Sequence, residues 1–333
     1  MGAEVPPRDR DIGHTARVPV AAGSYAAGMK LGAAFWLNDT DWRSLREAIV
    51  AADAAGFDSI WFDDHLLCDE GDPSEPKLEG WTVAAAAAAI TTRATIGHLV
   101  TANTFRNPGM LAKMAATLDH VSGGRAVLGM GAGWFGEEHR AFGLDFGASA
   151  GERIDRMGEA VGVVRRLLDG ERVTHDGRFY HLADAVCAPR PLQERLPLLI
   201  GGSGPKRTLP LVARHADLWN AYGTPDVIRA SGAVLDDACA TIGRDPSAIE
   251  WTVTLNVAVR DDRASADAAF AAILAHNSPQ QHERDLDAAG SPAEVAATLR
   301  SYAAAGIGHA MWVLRPPWDV ETIRRVGEVR AAL

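Results

Sequence analysis

The stretch Leu198–Asn220, LLIGGSGPKRTLPLVARHADLWN, contains a short apolar run, a glycine turn, an amphipathic helix and the next apolar run. A turn that needs only a positive φ uses one glycine. Several of them directly before a helix let another group approach the backbone. At that point free N–H groups and the positive end of the helix dipole favour an anion. Pro205 suits the first helical position and Lys206 adds a positive charge. By itself Gly202-Ser203-Gly204 reads more readily as a plain turn than as a phosphate cradle. Its place between a strand and a helix makes it a phosphate candidate.

The same alternation extends in both directions. KLGAAFW (Lys30–Trp36) reads as a strand, and DWRSLREAIVAADAAGF as an amphipathic helix ending near Gly56. SIWFDDH is the next strand with its carboxyl end. GWTVAAAAAAITTR is helical, ATIGHLV a strand, and GMLAKMAATLDHVSGG a helix closed by Gly123 and Gly124. AVLGMGAG is followed by a helix from about Glu152 to Leu168. RVTHDGRFYHL alternates about Asp176-Gly177 and predicts a β-hairpin. IEWTVTLNVAV and HAMWVL supply the last strands, with Ser291-Pro292 opening the helix between them.

Repeated strand–helix units require parallel pairing, and eight of them close into a barrel. No GxGxxG follows the first strand, which argues against an open dinucleotide-binding sheet. The expected organisation is an irregular leader over 1–28 and one α/β fold over 29–333, a (β/α)8 TIM barrel with insertion segments. The leader has Pro6, Pro7, Pro19 and mixed charges but no apolar core, so it does not read as a signal peptide and a cytoplasmic protein is expected. A net charge of −10 disfavours nucleic acid and acidic membranes as partners. The apolar run TVAAAAAAI is too short to span a bilayer. Three scattered cysteines suggest neither a disulfide framework nor a zinc site, and no metal is expected.

In such barrels the chemistry sits at the carboxyl ends of the strands. That directs attention to Asn38, Asp63-Asp64-His65, Thr101-Ala102-Asn103, Gly131 to Glu138, Gly202-Ser203-Gly204, Asn220 and Arg315. Phe35, Trp36, Trp61, Trp134, Phe135 and Trp219 are expected on the same rim, where they suit a flat conjugated ligand. Each has a plainer reading. Asp63-Asp64-His65 can cap a loop, Glu137, Glu138 and His139 can form a solvated helix face, and Trp134-Phe135 can be packing. The solvated face is the better reading for Glu138.

From Lys30 to Leu333 the chain resembles the bacterial luciferase-like flavin and deazaflavin oxidoreductases, most closely their coenzyme F420-dependent branch. The resemblance is carried by WFDDHLL, EGWT, GERIDRMGEAVGVVRRLL, FYHLADAVCAPRPLQ and GGSGPKRTLPLVARHADLWN. Its longest part is the ordered run TFRNP…LAK…TLDHVSGGR…LGMGAGW. It implies a ring-binding bulge at Leu99-Val100 with a non-prolyl cis peptide, continued by Thr101 and Ala102. Gly131 and Trp134 border the same ring. Asp64 and His65 match the family's Asp-His pair beside the ring's reactive edge, and Gly202, Ser203 and Gly204 match its phosphate turn.

The implied activity is hydride transfer between coenzyme F420 and a small organic substrate. His65 would be the acid/base and Asp64 its orienting partner. Lids are expected from Asp69–Leu78, Phe135–Ala150 and His276–Gly290. One position departs from the pattern. Where the sugar-phosphate dehydrogenases of the branch carry a proton-donating glutamate after G-x-G, this chain has Trp134. Glu137 is the nearest carboxylate and becomes a second catalytic candidate; no sugar-phosphate clamp is evident. The alternative is an FMN-dependent monooxygenase fed by a partner reductase, and a third reading is a non-catalytic flavin-binding barrel. A homodimer is expected in each case.

Overall fold

The computed structural model describes residues 28–277 and 287–333. Residues 1–27 of the leader, and residues 278–286 of the third expected lid, lie outside the described residues. Eight parallel strands close on themselves: β1 (Lys30–Phe35), β2 (Ser59–Phe62), β3 (Thr95–His98), β4 (Ala126–Gly131), β5 (Leu198–Gly201), β6 (Leu218–Ala221), β7 (Glu250–Val259) and β8 (His309–Leu314). Closure is made where β8 pairs with β1, Lys30 opposite His309 and Phe35 opposite Leu314. The expected TIM barrel is therefore observed.

The helices are α1 (Trp42–Ala55), α2 (Gly80–Ile90), α3 (Pro108–Ser122), α4 (Gly136–Phe142), α5 (Ala150–Leu168), α6 (Thr208–His215), α7 (Pro225–Thr241), α8 (Arg263–Asn277), α9 (Pro292–Ala303), α10 (Val320–Arg324) and α11 (Val326–Ala332). Their limits follow local chemistry. In α1, the Asp41 carboxylate accepts from the amides of Arg43 and Ser44, and Gly56 ends the helix at φ 105°. Between these caps Leu45, Ala48, Ile49 and Ala52 fall on one face and are buried against the sheet. Ser291 and Glu294 form a reciprocal capping box at the start of α9, with Pro292 as its first residue. Among the described residues no helix is long and apolar enough to cross a membrane.

The hairpin differs from its expected form. Its strands, Val173–Asp176 and His181–Ala185, are joined by four residues rather than by a tight Asp-Gly turn. The Glu159 carboxylate from α5 accepts from the amides of Arg178, Phe179 and Tyr180. This half-buried acceptor satisfies a wider loop than the dipeptide alone dictates.

Inside the barrel, Trp61 fills the centre. A Cβ on Gly97 of β3 would lie 2.5 Å from the Trp61 ring, so glycine there makes room for it. The Trp61 indole donates to Ser59 Oγ at 2.6 Å, and Ser59 Oγ lies 2.8 Å from His309 Nε2. A hydroxyl that accepts from the indole still has its own proton to share with Nε2, an arrangement compatible with a neutral His309. Complete burial pushes the His309 pKa down from 6.5 to about 4.

Neutral His309 is favoured by the fold, so its contribution is full above pH 6.5 and is lost as pH falls toward 4. The expected loss is about 3 kcal/mol at pH 4 relative to neutral pH. Urea unfolding of wild type and His309→Gln at both pH values measures it. The wild type should lose more stability than the variant by that amount.

Candidate functional site

All strands deliver their carboxyl ends to one mouth, and the described candidates divide into three groups around it. The first is the turn after β5. Gly202 has φ 112°, donates its amide to Asn220 O at 3.2 Å, and accepts from Trp219 Nε1 at 2.9 Å. The neighbouring strand thus fixes the turn. Arg207, at the N-cap of α6, makes no side-chain capping bond. Ser203 Oγ is buried and without a hydrogen-bond partner among the described residues. A Cβ on Gly204 would stand 2.9 Å from Thr208 Oγ1. An unfilled buried hydroxyl beside an uncapped helix start fits an anion such as a phosphate. Lys206 and Arg207 are exposed; with Arg214 and Asp155 they line a groove of about 290 Å³ between α5 and α6.

The second group is the bed after β3. The Leu99–Val100 peptide is cis, as the resemblance implies. Leu99 packs inside the barrel with Trp61, Val127 and Leu199. Val100 lies across β4 and β5: a Cβ on Gly131 would overlap its Cγ2, and one on Gly201 would come within 3.3 Å of its Cγ1. Thr101 Oγ1 accepts from the Trp81 indole at 3.1 Å, and the Ala102 amide donates to Asp64 Oδ2 at 3.0 Å. The expected aromatic rim is only partly realised. Phe35, Trp61 and Trp219 are wholly buried, because alternation along β1, β2 and β6 turns them into the core. Trp134 is 61 % exposed and does stand at the mouth.

The third group carries the titratable chemistry, and here the pairings differ from expectation. Asp64 does not orient His65. Its carboxylate takes both arms of Arg106, at 2.6 and 3.0 Å, and Arg106 also reaches Glu79 at 2.9 Å. A bidentate guanidinium and a backbone amide occupy both oxygens of Asp64. The partner of His65 is Glu138, whose oxygens lie 3.1 and 3.2 Å from Nδ1. Glu138 is buried, held by the Leu66 amide at 2.9 Å, and is not on a solvated helix face. Its neighbour Glu137 is exposed and paired with Arg140 at 3.4 Å, away from His65. Helical geometry turns successive residues about 100° apart, so only one of the two can face β2.

Asp69 completes the surroundings of His65, with Oδ2 at 3.6 Å from Nε2. The rings of Trp134 and Phe135 stand edge-on at 5.5 and 6.0 Å. Burial alone would lower the His65 pKa, but the hydrogen bond to Glu138 and the charges of Asp69 and Asp63 outweigh it and raise it. Burial pushes the Asp63 carboxyl up despite Lys77 beside it. Burial also opposes the charge of Lys77, yet Asp63 and Asp69 hold its pKa above the usual lysine value.

Lys77 is the centre of this network, bonded to Asp63, to Asn38 at 2.6 Å and to Asp69 at 3.3 Å. Arg315 grips Glu70 at 2.7 and 3.2 Å and Asn256 at 2.8 Å. The segment Asp69–Leu78 is therefore tied down by buried charges and is not built as a loose lid. Arg106, Asp69 and Lys77 were not singled out from the sequence, and Glu138 was read there as a solvated face. A signal existed for Lys77: it is the one basic residue between Asp69 and Glu79, among five acidic ones.

Replacing Lys77 by Met strands two buried carboxylates without their cation. We expect a stability loss of about 3–5 kcal/mol, read by denaturant unfolding, with faster proteolysis within 69–78. A loss below 1 kcal/mol would show that the pair does not hold the segment.

Comparison with known proteins agrees with this architecture. A 34 % identical relative over 224 residues is the F420-dependent glucose-6-phosphate dehydrogenase of Microbacterium testaceum, covering 65 % of this chain and 64 % of the relative. The 4-hydroxyprotoasukamycin monooxygenase of Streptomyces nodosus subsp. asukaensis is 30 % identical over 234 residues, covering 68 % of this chain and 61 % of its own length. The chain thus spans somewhat under two thirds of these relatives. Among solved structures, an F420-dependent secondary alcohol dehydrogenase in complex with an F420-acetone adduct superimposes with a TM-score of 0.78 at 24 % identity, over 92 % of this chain and 100 % of the other. The luciferase-like monooxygenase family model matches residues 13–309, most of the chain and the whole run of strands up to the start of β8, and the chain belongs to that family.

Proposed function

We propose that this chain is a coenzyme F420-dependent oxidoreductase acting on a small organic substrate. The observation that carries the reading is the union, at one barrel mouth, of an open turn with an unpartnered Ser203 hydroxyl and a half-buried histidine paired with Glu138. The F420-dependent dehydrogenase among its relatives supports the choice of cofactor. When bound, the deazaflavin supplies hydride transfer. Ser203, with the backbone at Gly202 and Gly204, would hold the phosphate. Leu99, Val100, Thr101, Ala102 and Gly131 form the bed for the ring, and Asp64 fixes the Ala102 amide within it. Trp134 and Phe135 shield His65 from water. His65 exchanges the proton that accompanies the hydride, with Glu138 as its positioning residue. Glu137 would enter only if α4 turned. The absence of a carboxylate at position 134 argues against a sugar phosphate as substrate.

The FMN-dependent monooxygenase remains the second reading, supported by the monooxygenase relative and by Trp134 in place of a glutamate; it would need a reductase as partner. A cytoplasmic homodimer belongs to the proposal as well. Met110 and Val121 of α3 are exposed beside Val186 and Leu192, in a segment that Lys113 and His120 bond to that helix. Sedimentation of the purified protein tests the dimer.

Titration of the purified protein with F420 and with FMN, followed by fluorescence, tests the cofactor. F420 should bind more tightly. Ser203→Asp should weaken it about tenfold or more, or about 1.4 kcal/mol, with circular dichroism unchanged. Substrate turnover with reduced F420 should proceed without oxygen, and His65→Ala should lower kcat far more than thermal stability. Strict O2 dependence with FMN and entry of one labelled oxygen atom into product would instead establish the monooxygenase.

A further inference from the structure

The groove between α5 and α6 holds charge that the fold itself does not use. Lys206, Arg207 and Arg214 line it against one carboxylate, Asp155. Arg207 reaches Asp155 at 3.5 Å, with both side chains about half exposed. Lys206 and Arg214 make no ion pair or side-chain hydrogen bond among the described residues. Of the other described lysines and arginines, only Arg46, Arg178 and Arg324 share that condition, and they sit singly on α1, the hairpin and α10. In a chain of net charge −10, unpaired cations gathered in one cavity mark a local site for anions.

The groove starts three residues from Ser203, whose buried hydroxyl lacks a partner. Lys206 and Arg207 stand at that end, and Arg214 lies about two helical turns, or roughly 10 Å, further along α6. Between them Pro210 and Leu211, with Ile154 and Gly158 of α5, supply an apolar strip. A Cβ on Gly158 would already touch Leu211 Cδ1 at 3.7 Å, so a longer side chain there would fill the space. A second cavity, of about 400 Å³, is lined by Asp39 and Asp41 and repels anions.

We propose that the α5–α6 groove is a binding subsite for a flexible chain of carboxylates, carried beyond the phosphate by the ligand that occupies the turn. One carboxylate meets Lys206 and Arg207, and a later one meets Arg214. The apolar strip takes the methylene groups between them. The link to the cofactor rests on the proposed function; the carboxylate preference of the groove does not. FMN ends at its phosphate and places nothing there, whereas F420 continues into linked glutamates.

Fluorescence titration compares F420 with the same deazaflavin phosphate lacking its glutamates. At low salt the glutamate-bearing form should bind about fivefold more tightly, as two exposed ion pairs allow, and the ratio should fall toward one at about 0.5 M salt. The double variant Lys206→Gln/Arg214→Gln should lose the ratio even at low salt, with circular dichroism unchanged, and Asp155→Asn should enlarge it. Equal binding of the two forms by wild type overturns the proposal, and so does a ratio that survives in the double variant. NMR of the cofactor-free protein with tetra-γ-glutamate supplies the second readout. The Gly158 and Leu211 amide signals should move in wild type and stay in place in the double variant. Signals that do not move, or that move equally with sulfate at the same ionic strength, overturn the carboxylate subsite. If neither deazaflavin binds while the peptide still moves those signals, the proposed cofactor fails and the groove stands.

Discussion

A carboxylate taken out of water must find a cation or a set of donors, and that constraint shapes the mouth of this barrel. Asp63, Asp64, Glu70 and Glu138 are all nearly inaccessible to solvent. Each is matched: Asp63 by Lys77, Asp64 by Arg106, Glu70 by Arg315 and Glu138 by His65. These pairings fix the path of the segment between β2 and α2, the position of the bed after β3 and the facing of α4. Apolar packing closes the barrel, but paired charge decides which surface it presents. Exchange of any one partner would leave a charge in a low-dielectric place and disturb the geometry of the others.

The periodic parts of this architecture were legible in the sequence. Strand–helix alternation marks the barrel because burial on both faces and amphipathic helices leave distinct patterns. Asp41, Gly56, Ser291 and Pro292 announce helix ends through chemistry confined to a few neighbouring residues. The turn at Gly202–Gly204 was readable for the same reason. Side-chain partners were not. Glu138 and His65 are 73 positions apart, and Asp64 and Arg106 are 42. Nothing local separates Glu137 from Glu138; only the docking of α4 onto the mouth buries one and exposes the other. Phe35, Trp61 and Trp219 were misplaced on the rim because barrel strands are buried on both faces, so an aromatic within one is core whichever way it points.

The mouth divides its work between backbone and side chains. At the turn after β5 the proposed anion site consists mainly of backbone, so it depends on small residues and on the strand that holds Gly202. On the opposite side, the proposed acid/base is one imidazole faced by Glu138 and Asp69. The first arrangement selects by shape and dipole, the second by charge, and Val100 spans the distance between them against Gly131 and Gly201.

The pairing of Arg315 with Glu70 joins residues 245 positions apart. At ordinary elongation rates the ribosome needs on the order of ten seconds or longer to make that length of chain. Throughout that interval the segment after β2 lacks the guanidinium that grips it, and β1 lacks the strand that closes the sheet. Both arrive together with β8 and the residue after it. The emerging chain thus holds His65, Glu138, Asp69 and Lys77 well before it holds a finished mouth. Completion of the barrel and assembly of its mouth become one late event, governed by β8 and Arg315.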